Sequence, residues 1–87
     1  MREILTNSER WAIWVRDGFR CVYCGYRGSL LNTQYLAVDH KVPEPRGGSD
    51  APGNLQTICT SCHRAKGDKS DAEYRAYLGF RKRVFGF

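Results

Sequence analysis

Four cysteines fall in two pairs, Cys21-Val-Tyr-Cys24 and Cys59-Thr-Ser-Cys62, with 34 residues between them. In a chain of 87 residues this constrains the fold more than any hydrophobic pattern does. A chain this short removes only about 60–65% of its unfolded surface from water, so a staple carries much of its stability. Two-residue spacing lets both sulfurs of a pair converge on one tetrahedral ion, with Zn–S bonds of about 2.3 Å. Gly25, directly after the first pair, relieves crowding where the backbone turns beneath the sulfurs. Two pairs make a closed four-thiolate zinc site, which excludes hydrolysis at that ion because no position is left for substrate. The competing reading is two disulfides or a redox pair. The N-terminus, MREILTNSER, has no apolar run long enough for a secretory signal or a membrane span. The expectation is therefore a cytoplasmic location, where paired thiols hold metal more often than they form disulfides.

The local patterns predict a small α+β domain. Thr6-Asn7-Ser8-Glu9 fits a capping box. Behind it Trp11, Trp14, Val15 and Phe19 recur at near-helical spacing, so a helix is expected over about 8–17, its aromatics packed inward and Gly18 stopping it. Tyr35 to His40 reads as a short strand, and a breaker-rich loop follows with Pro43, Pro45, Gly47, Gly48, Pro52 and Gly53. Leu55-Gln56-Thr57-Ile58 is expected to be a half-buried second strand. Thr60 or Ser61 then opens a helix carrying Cys62, His63 and Lys66, ended by Gly67. Ser70-Asp71-Ala72-Glu73 is a second capping box, opening a helix over about 71–83 with Tyr74, Tyr77 and Leu78 on one face. The chain reads as one domain over 1–87, with its core at about 16–69 between two flanking helices.

Formal net charge is +5, and ten of the fourteen basic residues are arginine. The planar guanidinium fork suits phosphate oxygens better than an ammonium does, so nucleic acid is the first candidate partner and a membrane is not. Arg46, Arg64, Lys66 and Lys69 flank the segment described next, and Arg81, Lys82 and Arg83 form a second basic patch. These are expected to neutralise DNA phosphates, which fixes position without reading bases.

The two histidines are the remaining chemistry. His40 stands beside Asp39 at the end of the first expected strand, and His63 follows Cys62. Consecutive helical residues point about 100° apart, so Cys62 can face the zinc while His63 faces a second site. Asp39 and His63 offer one carboxylate and one imidazole, a sparse shell that leaves room for water and phosphate around Mg²⁺ or Mn²⁺. One difficulty is geometric: neighbours on a regular strand point to opposite faces, so Asp39 and His40 share a site only if the strand ends there.

The segments Asp39-His40-Lys41-Val42-Pro43, Arg46-Gly47-Gly48, Gly53-Asn54-Leu55-Gln56-Thr57-Ile58-Cys59 and Cys62-His63-Arg64-Ala65-Lys66-Gly67 together resemble the HNH endonuclease family. The resemblance runs from about Arg16 to Lys69 and includes the variant with zinc-binding cysteine pairs. It implies a ββα-metal core, an antiparallel hairpin and a helix gripping one catalytic divalent ion, and an enzyme that hydrolyses DNA phosphodiester bonds. On that pattern His40 is the general base, Asp39 and His63 hold the catalytic ion, and Asn54 ties the loop to the hairpin. Proteins of this kind act in phage DNA packaging, mobile introns and restriction, so a bacterial or phage source is expected. Monomer and homodimer both remain open. The alternative is a zinc-binding nucleic-acid interaction module without catalysis, which has no need of the Asp39, His40, Asn54 and His63 set.

Overall fold

A computed structural model describes residues 5–86. In chain order it contains α1 (Asn7–Arg16), β1 (Leu36–His40), β2 (Leu55–Cys59), α2 (Thr60–Lys66) and α3 (Asp71–Phe85). Two single 3₁₀ turns, Glu44–Arg46 and Pro52–Asn54, shape the loop between the strands. The strands pair antiparallel, with Leu36 opposite Cys59 and His40 opposite Leu55. The result is the expected small α+β domain: a hairpin followed by a helix, with one further helix on either flank.

Both caps form as the sequence suggests. The Thr6 hydroxyl accepts from the Glu9 amide while Glu9 accepts from the Thr6 amide, so α1 starts one residue earlier than expected. Ser70 and Glu73 make the same reciprocal pair at the start of α3. The inward face of α1 differs from expectation. Ile13 and Trp14 are buried, whereas Val15 is exposed. Trp14 also donates its indole N–H to the Ala37 carbonyl of β1 at 3.2 Å, which a valine at position 15 has no means of doing. Trp11 meets Trp14 and Phe19 edge-on, each at 5.6 Å between ring centres.

A two-stranded hairpin is marginal alone and needs cover. The Thr57 hydroxyl donates to the Ile13 carbonyl of α1, while the adjacent Gln56 faces Asp39 on the side of α2. Every residue of β2 is consequently buried, where the sequence pattern suggested a half-buried strand. The polar residues Gln56 and Thr57 each have hydrogen-bond partners inside. Arg16 reinforces this side by donating to the carbonyls of Pro52 and Leu55, and Asp17 accepts from the Thr57 amide.

Helix α3 is held mainly by its first turn. The Asp71 amide donates to the Lys41 carbonyl at 2.7 Å, and Tyr74 packs edge-on against Tyr23 at 4.8 Å. Tyr74 alone of the three expected inward residues is fully buried; Leu78 is half-buried and Tyr77 is exposed. Among the described residues no helix is long and apolar enough to cross a membrane.

Candidate active site

The cysteine pairs converge. One sulfur from each of Cys21, Cys24, Cys59 and Cys62 lies within 4.8 Å of the others, and Cys24 and Cys59 are 3.6 Å apart. Four bonds of ~2.3 Å to a tetrahedral ion would put sulfurs ~3.8 Å apart, whereas a disulfide needs ~2.05 Å. All four thiols are free, so the disulfide alternative falls. The local backbone supports this arrangement. Cys21 and Gly25 close the first knuckle through Gly25 N–H to Cys21 O, with Gly25 at φ +80°. The amides of Tyr26 and Cys62 donate to the sulfurs of Cys24 and Cys59, each at 3.4 Å. Burial opposes ionisation of Cys21, but backbone hydrogen bonds from the Cys24, Cys59 and Tyr23 stretch outweigh it and bring that thiol down to about 7. Burial and then the neighbouring Cys59 push Cys62 upward. The four convergent sulfurs are a donor set that fits zinc.

Beside the cluster, β1 and α2 open onto a cleft of about 200 Å³ lined by Asp39, His40, Pro43, Glu44, His63 and Lys66 among others. His63 Nε2 stands 4.0 Å from Asp39 Oδ1. Two bonds of ~2.1 Å to one small divalent ion span at most ~4.2 Å, so the pair is within reach of one ion. His40 is the last residue of β1, and it lines the cleft together with its neighbour Asp39. Its Nε2 lies 2.7 Å from Asp50 Oδ1, in the loop. A proton on Nε2, donated to that carboxylate, leaves Nδ1 as the acceptor nitrogen. Asp50 is a partner of His40 that no spacing in the sequence points to.

Asn54 closes the loop on itself. Its side-chain oxygen accepts from the Val42 amide at 2.9 Å, and its amide donates to the carbonyls of Val42 and Ser49 at 3.1 and 2.8 Å. Gly48 lies under this clamp: a Cβ there would sit 1.6 Å from the Val42 carbonyl oxygen.

The four residues expected to contact DNA have different fates. Lys66 is a correction. It is 1% exposed, and its ammonium bonds both oxygens of Asp39, at 3.3 and 3.1 Å, and the His40 carbonyl at 3.2 Å. A group enclosed in this way is no surface phosphate ligand. Arg46 is half-exposed and paired with Glu73 at 2.5 Å, bracing the loop against α3. Arg64 and Lys69 are exposed, and Lys69 stands 5.7 Å from the centre of the Tyr77 ring. Of the second basic patch, Lys82 and Arg83 are exposed and Arg81 is half-buried.

Sequence reasoning also missed the inner partners of Asp39. Gln56 donates one amide hydrogen to Asp39 Oδ2 at 3.0 Å and the other to the Tyr23 hydroxyl at 2.8 Å. Tyr23 in turn donates to Asp71 Oδ1 at 2.5 Å, and burial, then this contact, raise its hydroxyl well above the usual phenol range. Tyr23 sits between the two cysteines of the first pair, so the knuckle reaches the acidic side chain through one amide. No curated protein is similar enough to the chain to be matched. Residues 21–69, more than half of the chain, match the family model described as HNH endonuclease.

Proposed function

The chain belongs to the HNH endonuclease family, and from that premise we propose that it hydrolyses phosphodiester bonds of DNA in the cleft shared by Asp39, His40 and His63, nicking or cutting duplex. The observation that carries this reading is the approach of His63 Nε2 to Asp39 Oδ1, 4.0 Å, in a cleft that His40 also lines.

Each residue has a stated task. Asp39 and His63 hold a divalent ion such as Mg²⁺ or Mn²⁺. When bound, that ion supplies Lewis-acid polarisation of the phosphate and stabilises the leaving oxygen. His40 takes a proton from the attacking water on Nδ1 while Asp50 holds Nε2. Asn54 keeps the loop folded so that the end of β1 stays aimed. Cys21, Cys24, Cys59 and Cys62 hold zinc, which braces the knuckle against the start of α2 and takes no part in the reaction. Arg64 and Lys69, both exposed, bind phosphate, so affinity falls steeply with salt and carries little sequence preference. The whole chain acts as one nuclease domain, cytoplasmic and of bacterial or phage origin.

A plasmid-nicking assay with Mg²⁺ or Mn²⁺ tests the assignment. His40→Ala is expected to lower the cleavage rate by roughly 10²–10⁴-fold with DNA binding retained. Undiminished cutting by that variant would remove His40 from the mechanism.

A further inference from the structure

Lys66 is the buried charge that the proposed chemistry leaves unused. Its ammonium is enclosed, on the same carboxylate that would receive the divalent ion, and it also bonds the backbone carbonyl of His40. The Gln56 amide occupies Asp39 Oδ2 as well. We infer that Lys66 is a built-in counter-ion for the metal site: it holds Asp39 and the end of β1 in place without the ion, and competes with the ion for the same carboxylate. The inference rests on the reading of Asp39 as a metal ligand.

The physical argument is one of shared charge. A buried carboxylate without a partner is strongly disfavoured, so a cationic neighbour stabilises Asp39 when no ion is bound. Asp39 is 6% exposed, which leaves little scope for water to do this. An ion bonded to Asp39 at ~2.1 Å lies within ~5.4 Å of an ammonium 3.3 Å or less from the same group. At that separation two cations repel appreciably even at an intermediate effective dielectric. The ammonium therefore weakens the ion that it substitutes for. A site built in this way is pre-shaped without metal and releases metal readily. Lys66 is a positioning residue, since it acts through Asp39 and the His40 carbonyl.

Mn²⁺ binding followed by electron paramagnetic resonance, on the full chain with its zinc retained, tests the inference. Asp39→Asn is expected to abolish labile Mn²⁺ binding. Lys66→Met keeps the aliphatic stem and removes the charge, and is expected to bind Mn²⁺ at least about tenfold more tightly than wild type. Its thermal midpoint, lowered without Mn²⁺, should recover by more than the wild-type increment when Mn²⁺ is added. Equal or weaker binding by Lys66→Met, with Asp39→Asn still inert, overturns the counter-ion role and leaves the metal site standing. Wild-type binding that does not depend on Asp39 defeats the site reading and this inference together. A second measurement covers a Lys66→Met chain that does not fold. In the wild type, the NMR signal of the Lys66 ε-methylene should move with Mg²⁺ at the midpoint of ion binding, and a signal unmoved at saturation overturns the inference.

Discussion

The guanidinium of Arg46 lies against Glu73, and that contact, followed by the Ser70 amide, holds the Glu73 carboxyl down at about 2. A carboxyl whose folded-state value lies below its ordinary 4.5 contributes stability that is complete above 4.5 and lost as pH falls through about 2. Glu73→Gln retains an acceptor for the Ser70 amide and removes the charge. Its thermal midpoint is expected to lie slightly below wild type near neutral pH. The difference should shrink as pH falls from 4.5 toward 2, and should also shrink with added salt because the pair is exposed. A gap between the two chains that stays constant across this window would exclude the charge contribution. At the same scale Arg46 shows how a basic residue near a cleft acquires a structural partner first: half of it is exposed, yet its charge is already answered.

Among the elements, the loop between β1 and β2 matters more to the site than its irregular course suggests. Two turns, a left-handed Gly47 and the Asn54 clamp bring Asp50 to His40 while keeping Val42 within reach of Asn54. Gly48 is required here because the space that a methyl would need is filled by the Val42 carbonyl. Gly48→Ala is therefore expected to displace that backbone, cost roughly 1–3 kcal/mol of stability and reduce cleavage beyond what the lost stability explains. Chemical denaturation with a nicking assay at a temperature where both chains are folded checks this. A fully stable and active alanine variant would show that the loop has room to relax. The capping boxes behave differently, being complete within four residues each. They were legible in sequence for that reason.

For the whole molecule the cysteine cluster is the joint. It ties the first knuckle, at residues 21–24, to the end of β2 and the start of α2, and Val22 docks on Thr57 through a backbone bond of 3.1 Å. The core around it is small, with Cys21, Ile58 and Cys59 at its centre. Cys59→Ser removes a sulfur that takes part in that core, accepts the Cys62 amide and would bind zinc. Because metal binding free energy in such domains is folding free energy, the variant is expected to lose zinc and most of its tertiary structure together. Zinc content by elemental analysis and near-ultraviolet circular dichroism measure the two losses. A folded Cys59→Ser chain with full zinc content would refute the joint.

The amino-acid order carried the caps, the element order, the two cysteine pairs that converge and the pattern that matches the HNH family model. Each of these is carried by spacing over a few residues or by a motif whose parts stand in fixed order. Tertiary structure alone decided who meets whom at long range. It brought Lys66 to Asp39 across 27 positions, Gln56 to Tyr23 across 33, and Asp50 to His40 across an irregular loop. It also buried both faces of β2, which the sequence reads as a half-buried strand. The physical reason is that a buried polar group takes whichever partner the backbone path delivers. That path is set by packing of the whole chain, and local preference has no access to it.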